Sequence, residues 1–494
     1  MPWRSKTPAA LWLSLAFAAM LVLVAGTAVA WRSGLFSPND DGQRLAIPAS
    51  GPETDTPSPL TTAPAPTMTG EARYVTAVSA GGRFFVDQHG EPILVRGDAP
   101  WSLMVDVSPE DAERYLSTRA AQGFNAALVS LIGAVANGGP SDGGATYDGL
   151  LPFVSGDVLS WNEDYWRRVH SYLVKAANHG ITVFLYPIDG WTIGNSFVPA
   201  SLSVCHEYGM RVATYFAALP NIVWMTGGDY FPATDDLAAG SDVDHCMDAA
   251  LRGIRAAGDS RPFSIQLNYD RSWSTQNPFW APRVDWNFVY TYHPTYEAVL
   301  EAYRAQPALP ALFGEGNYEG ENNQDQSPPT TAETLRRQML WALTSGSPGD
   351  IFGTDDWEFL PGWQGRLDSD AIRQVSGLRA LVEELTWWEL VPDDSEPIVT
   401  AGRGEQVTDD AFRDVLESDY VTAASTPDGT TALVYVPTSR EITVDISRFP
   451  EEAEVYWIDP TTTERIPTRL ATSMNSPGRN SGGDTDWLLL VRSP

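Results

Sequence analysis

The chain has 494 residues, too many for one ordinary core of about 100–200 residues and enough for a large domain with a smaller companion. Hydrophobic residues make up 43% and charged residues 19%, which excludes a wholly disordered or coiled-coil chain. Sixty-three acidic against 32 basic side chains leave a net charge of −31, a field that repels phosphate backbones, so no nucleic-acid partner is expected.

Residues 9–31 are apolar without a charge, preceded by Arg4 and Lys6 and followed by Arg32. Such a run can span a bilayer, and the leading positive charges favour a cytoplasmic N-terminus. A cleavable signal peptide is the alternative, because Ala28-Val29-Ala30 fits a small-residue cleavage site. Residues 1–32 therefore read as a transmembrane anchor or signal peptide, and the rest of the chain as exported, either membrane-anchored or secreted. Residues 33–72, rich in Pro, Thr, Ser and Asp, read as a disordered tether.

From 73 to 392 one pattern repeats: a short apolar run, a polar or glycine-rich end, then an amphipathic helix. The runs are 93–98, 124–131, 181–189, 221–229, 262–268, 287–293, 310–316 and 350–357. Strands this uniformly apolar are parallel and covered on both faces. Ser108-Pro109-Glu110-Asp111 opens one helix and Gly123 closes it. The next carries Tyr165, Val169, Tyr172 and Ala176 on one face and stops at Gly180. Eight such units predict an α/β fold, a (β/α)8 TIM barrel. Residues 269–283 lack a convincing helix, so one unit is expected to be irregular. Ahead of the barrel, 83–86 and 92–95 flank Asp87-Gln88-His89-Gly90 as a hairpin over its base.

From 393 to 494 the grammar changes to short alternating runs at 420–424, 431–436, 442–446, 453–458 and 487–491, with turns such as Pro427-Asp428-Gly429. This predicts a small antiparallel β-sandwich. The only cysteines, Cys205 and Cys246, fall near the starts of consecutive helices and are a disulfide candidate outside the cytoplasm; two buried thiols are the alternative. The six His are scattered and there is no CxxC, so neither metal nor organic cofactor is expected. His206-Glu207 begins like a zinc-binding HExxH, but Met210 stands at the second His position.

Reactive groups of such barrels gather at the C-terminal strand ends. Read in order, those ends give Asp98 with Trp101, Asn125, Asp189 with Trp191, Asp229, Gln266 with Asn268, Tyr292 with His293, Glu315, and Asp355-Asp356-Trp357. Carboxylates and amides among aromatic rings suit a sugar, whose CH faces stack on rings, and glycoside cleavage uses two carboxyl groups. Asp229, behind two glycines, and Glu315 end strands four and seven, across the barrel mouth from each other. Plainer readings stand beside these. Asp229 could cap a helix after a turn, and Glu315 could serve a salt bridge. Asp98 could hold loops, His293 could be a hydrogen-bonded wall, and Asp355 and Asp356 could satisfy loop amides. Trp161, Trp166, Trp387 and Trp388 read as packing.

At these residues the chain resembles the apiosidase-like glycoside hydrolases, a (β/α)8 family with a C-terminal β-sandwich of the collagen-binding type. The resemblance is carried by Phe85-Val86-Asp87, Gly97-Asp98 with Trp101, Arg119 with Gly123-Phe124-Asn125, and Leu151-Pro152-Phe153. It continues through Pro220-Asn221-Ile222-Val223-Trp224, Gly227-Gly228-Asp229, Gly314-Glu315 with Tyr318-Glu319, Arg336-Arg337 with Trp341, and Gly353 with Trp357. The resemblance implies that Asp229 is the acid/base and Glu315 the nucleophile of a retaining reaction, with Asp98, Trp101 and Tyr318 near the sugar. Glu319 joins that list of expected substrate contacts. Two departures lie at the expected rim: Ala99 follows Asp98 where the family has Thr, and Ile188-Asp189-Gly190-Trp191 stands where a Trp-Gly pair is usual. The family's apiose substrate is therefore not carried over. The expected protein is a monomeric glycoside hydrolase acting on a polysaccharide or glycoconjugate. A non-catalytic carbohydrate-binding or adhesion protein, and an inverting hydrolase or transglycosylase, are the alternatives.

Overall fold

Each of the eight apolar runs forms a strand, most of them shorter than the run because the hydrogen-bonded ladder stops before the loops begin; the run at 221–229 instead continues as a strand to Tyr230. The computed structural model describes residues 72–133, 144–190, 192–197, 200–268, 271–321, 329–394, 397–406 and 414–493. The apolar run at 9–31 and the tether lie outside the described residues, among which no helix is long and apolar enough to cross a membrane.

A three-stranded antiparallel sheet comes first, made by β1 (Ala77–Val78), β2 (Phe85–Val86) and β3 (Pro92–Ile93). The barrel strands are β4 (Val95–Asp98), β5 (Ala126–Ser130), β6 (Thr182–Tyr186), β7 (Ile222–Tyr230), β8 (Phe263–Leu267), β10 (Asn287–Thr291), β11 (Ala311–Glu315) and β12 (Gly349–Phe352). They pair in parallel in the order β8-β7-β6-β5-β4-β12-β11-β10. The irregular unit explains the remaining seam. In place of a helix after β8 the chain makes β9 (Arg271–Trp273), which runs antiparallel to β10, then a short 3-10 turn. Ser274 of that turn, fully buried, donates to the Ile265 carbonyl (2.7 Å) and accepts from the Phe288 amide (2.8 Å). One hydroxyl thus bridges the two strands where no ladder joins them.

Phe85 of the N-terminal hairpin packs edge-on against Phe184 and Trp286 and seals the base of the barrel. Outside the strands stand α1 (Pro109–Ala121), α2 (Glu163–Asn178), α3 (Leu202–Tyr215), α4 (Asp242–Ala256), α5 (Tyr296–Arg304), α6 (Ala332–Thr344) and α7 (Asp370–Glu383). Ser108 caps α1 through the Asp111 amide with Pro109 in the first turn, as its sequence signals. Trp161 and Trp166 stack on each other at 3.6 Å within the core. Cys205 and Cys246 are joined in a disulfide between α3 and α4, with Cα atoms 5.5 Å apart. The two helices approach closely because a Cβ on Gly209 would meet the Ala250 carbonyl oxygen at 2.0 Å, and one on Gly253 the His206 oxygen at 1.9 Å.

The C-terminal region has two antiparallel sheets. The larger runs β13 (Val391–Pro392), β15 (Thr422–Ser425), β16 (Thr431–Val436), β21 (Trp487–Arg492), β18 (Glu454–Ile458) and β19 (Arg465–Thr468). The smaller holds β14 (Val399–Ala401), β17 (Glu441–Val444) and β20 (Ser473–Asn475). Both faces of the larger sheet are covered. Ala432, Val434, Leu489 and Val491 pack with Ile442 and Val444 of the smaller sheet. Leu433, Tyr435, Leu488 and Leu490 pack with Leu340 and Trp341 of α6 and with Val375 and Leu378 of α7. The strands missed in the sequence, β13, β14, β19 and β20, are all short, and β19 is an exposed edge interrupted by Pro467.

Arg336 locks this region to the barrel. It is 1% exposed and reaches both oxygens of buried Asp486 (2.8 and 2.7 Å), Asp484 (2.6 Å) and Gln374 (2.9 Å). Glu333, Asp484 and Asp486 lie close enough to share a cation, and the guanidinium supplies one. Removing one partner of a buried pair leaves an uncompensated charge. Arg336→Ala is expected to cost about 3–5 kcal/mol, read as a lowered urea midpoint with the barrel and C-terminal signals unfolding together.

Candidate active site

Two carboxylates leave their strands at irregularities that glycine makes possible. In β7, Gly227, Gly228 and Asp229 are consecutive left-handed residues (φ 86°, 93° and 47°), and the pairing with β8 slips between Gly227 and Tyr230. A Cβ on Gly227 would lie 2.1 Å from the Gln266 carbonyl oxygen, so the position admits no side chain. Asp tolerates the left-handed region better than most residues, yet holding it there costs on the order of 1 kcal/mol. In β11 the pairing with β10 also shifts, which sets Glu315 opposite Tyr290, and a Cβ on Gly314 would strike the Phe288 ring at 2.3 Å. Such bulges re-aim a single side chain.

Between β7 and β11, on the shorter way round, lie β8 and β10, which supply Gln266 and Tyr290. Gln266 donates from Nε2 to Glu315 Oε2 at 2.9 Å and accepts from the Tyr186 hydroxyl at 2.7 Å. The Tyr290 hydroxyl interacts with both carboxyls. Asp229 Oδ1 is buried and has no hydrogen-bond partner among the described residues. Burial pushes the Asp229 carboxyl up to about 6, with Tyr290 offsetting part of the rise. Burial also drives Glu315 well above the usual carboxylate range, and the charge of Asp229 adds to it, against hydrogen bonds from Tyr290 and Gln266. Two carboxylates withdrawn from water and close enough for the charge of one to raise the other do not both ionise readily, so the pair titrates jointly and keeps a proton into the neutral range.

An aromatic wall surrounds the pair. Trp101 Nε1 donates to the Tyr318 hydroxyl (2.8 Å) and its ring tilts against Tyr186 at 4.9 Å. Tyr292 lies beside Tyr290, and burial with the charges of Glu315 and Asp229 lifts its hydroxyl far above its ordinary value. Trp357, half-buried at the mouth, donates from Nε1 to Glu321 at 2.6 Å. Expected contacts Trp101, Tyr292, Tyr318 and Trp357 are therefore gathered around the acids. Asn268 is half-buried at the end of β8, and His293 follows β10 with its carbonyl held by Gln338 (3.1 Å). Trp191 lies outside the described residues.

Five other expected contacts have different work. Asn125 precedes β5 and sits at the opposite end of the barrel, where its side chain bonds the Arg96 amide and the Leu94 carbonyl. It lines a cavity of about 750 Å³ there with Arg96, Glu383 and Trp388, and that cavity contains neither acid. Asp98 is clamped by Arg119 and the Tyr115 hydroxyl on one oxygen and by the Ala99 amide on the other. Asp189, fully buried, is held by Ser130 and by the Thr192 amide (2.7 Å). Glu319 accepts from Ser369, the cap of α7, at 2.6 Å, and Asp356 forms a fork with Arg366. Asp98 and Asp356 thus hold loops, the plainer reading of those two residues.

Tyr186 and Tyr290 were not among the expected site residues. For Tyr290 the signal is parity: Phe288, Tyr290 and Tyr292 alternate through the run 287–293, so if Tyr292 faces inward Tyr290 does too.

The apiosidase-like catalytic domain family matches residues 79–389. Among solved structures, one described as a glycoside hydrolase aligns with TM-score 0.71 and 20% identity, covering 85% of this chain and 97% of its own. A glycoside hydrolase family 5 protein from Bacteroides vulgatus aligns with TM-score 0.71 and 20% identity, covering 85% and 94%. No curated protein matches.

The raised Asp229 carboxyl is also a stability statement. Its folded value of about 6 exceeds the ordinary 3.8, so ionising it penalises the folded chain. The penalty is absent below about pH 4, grows as pH rises to about 6, and is complete above. Asp229→Asn is expected to stabilise the protein at pH 7 by up to about 3 kcal/mol and to leave it unchanged near pH 3.5, measured by denaturant unfolding at both pH values.

Proposed function

Because the chain belongs to the apiosidase-like family of glycoside hydrolases, we propose that it cleaves a polysaccharide or glycoconjugate with retention of configuration. The observation that carries this reading is the half-buried Asp229 and buried Glu315 at the ends of β7 and β11, where the charge of Asp229 raises the Glu315 carboxyl. Retention follows from the resemblance at Gly227-Gly228-Asp229 and Gly314-Glu315, and it requires the two carboxyl groups to stand ~5–5.5 Å apart, against the ~6.5–9.5 Å of inverting enzymes.

In the proposed cycle the Asp229 proton passes to the glycosidic oxygen as its bond to the anomeric carbon breaks, and a Glu315 oxygen bonds to that carbon. Water then gives a proton to Asp229 and attacks the same carbon, releasing Glu315 as carboxylate. Burial alone favours a neutral Glu315; the Gln266 donor favours the charge there, and the unpartnered Asp229 oxygen favours the proton on Asp229.

The substrate is read as neutral. Glu321, Glu358 and Asp106 follow strands around the mouth and feel one another's charge, and burial pushes Asp106 up to about 6. The only Arg or Lys between a barrel strand and the next helix are Arg271, Arg283 and Arg366. Each is ion-paired, with Glu301, Asp248 and Asp356. Export, by an anchor or a cleaved signal, rests on the run at 9–31 and is supported by the disulfide, which persists in oxidising compartments. The enzyme is proposed to act as a monomer.

Asp229→Ala and Glu315→Ala should each lower kcat on a competent aryl glycoside at least ~10³-fold, with the far-ultraviolet dichroism unchanged. Product followed by NMR within the first turnovers should carry the substrate's anomeric configuration; the opposite anomer makes the enzyme inverting. On matched oligosaccharides, neutral chains should be turned over at least tenfold faster than polyuronates at low salt, with the gap narrowing as salt is added.

A further inference from the structure

We propose that Tyr186 and Gln266 form a positioning relay that holds Glu315 as the charged partner of the acid pair and so decides which acid is the nucleophile. The inference rests on the catalytic reading above and adds to it the cause of the asymmetry between the two acids.

Tyr186 ends β6 and Gln266 lies in β8, with the Asp229 strand between them, and both are 0% exposed. A primary amide has one accepting end and one donating end. With the Tyr186 hydroxyl donating to Oε1 at 2.7 Å, the amide turns Nε2 toward Glu315 at 2.9 Å. The reverse orientation would point a carbonyl at the carboxyl, which suits only a protonated Glu315. Amide orientation and Glu315 charge are therefore coupled, and the Trp101 ring packed on Tyr186 keeps the phenol in place.

Tyr290 lowers both carboxyls and so does not by itself tell them apart. Asp229 and Glu321 oppose the charge on Glu315, and Tyr292 and Tyr318 are neutral phenols whose own ionisation that charge suppresses. Gln266 donates to Glu315 from an uncharged amide. A guanidinium in its place would cancel the field of Glu315 and free Asp229 to lose its proton. A neutral donor supports the nucleophile's charge while leaving intact the field that keeps the acid protonated.

Two variants test the relay in the full-length protein. Gln266→Met keeps the volume and removes the donor; Tyr186→Phe keeps the ring and removes the lock on the amide. The readouts are the Glu315 carboxyl titration by carbon NMR of glutamate-labelled protein, assigned against Glu315→Gln, and the pH profile of kcat/KM. In both variants Glu315 is expected to hold its proton to higher pH, by about half a unit or more, and the acid limb of the profile to move with it. Gln266→Met should lose about 10–100-fold in kcat and Tyr186→Phe less, with KM within about threefold. A Glu315 titration unchanged in folded Tyr186→Phe overturns the relay, as does a loss of kcat without movement of the acid limb. Should Gln266→Met not fold, Tyr186→Phe decides. The titration needs no substrate, so an active Glu315→Gln enzyme would refute the catalytic reading separately.

Discussion

Two carboxyl groups drawn out of water at the ends of two barrel strands resist carrying charge together, and the barrel's mouth is arranged around that constraint. Desolvation lifts both Asp229 and Glu315, and the charge of Asp229 makes Glu315 harder still to ionise. A pair in this condition keeps one proton available near neutrality, which is what protonation of a leaving group and attack by a carboxylate require together. The uncharged wall of Trp101, Tyr186, Tyr290, Tyr292 and Tyr318 belongs to the same solution. Phenols and indole fill the space and offer hydrogen bonds without supplying a countercharge that would release the proton.

Placing the acids there has a backbone cost. Asp229 is held left-handed after two left-handed glycines, and Glu315 follows a glycine pressed against the Phe288 ring. Both bulges interrupt regular pairing at the strand end, where the ladder contributes least and the loops begin. Asp98, Asp189 and Asp356, which share a residue type and strand position with the acids, are each tied to an arginine, hydroxyl or amide. Those three carboxylates are fully engaged in holding loops, whereas Asp229 keeps one oxygen without a hydrogen-bond partner among the described residues.

The C-terminal sheets are part of the barrel's own packing. Alternate residues of β16 and β21 enter two different cores, one with the small sheet and one with α6 and α7. Arg336 and Trp341, on α6, complete that contact through Asp486 and the Tyr420 carbonyl. A sheet covered on both faces in this way behaves as a layer of the fold.

Much of this was written in the chain. Eight apolar runs with polar ends dictate eight strands, because a parallel strand buried on both faces needs no alternation, and helix caps such as Ser108-Pro109 act within a single turn. The glycines before Asp229 and Glu315 marked the two acids for the same local reason: only glycine fits a left-handed turn or a close approach. What the sequence left open were the partners. Whether a carboxylate reacts or braces a loop depends on who stands opposite it, and Arg119 for Asp98, Ser130 for Asp189 and Gln266 for Glu315 come from distant positions. Asn125 stands at the start of its run, just ahead of β5, so it belongs to the base of the barrel, and only the other end of that strand reaches the mouth. Hydrogen bonds and desolvation are properties of a folded neighbourhood, so only the tertiary structure separates the acids at the centre from those that hold the walls.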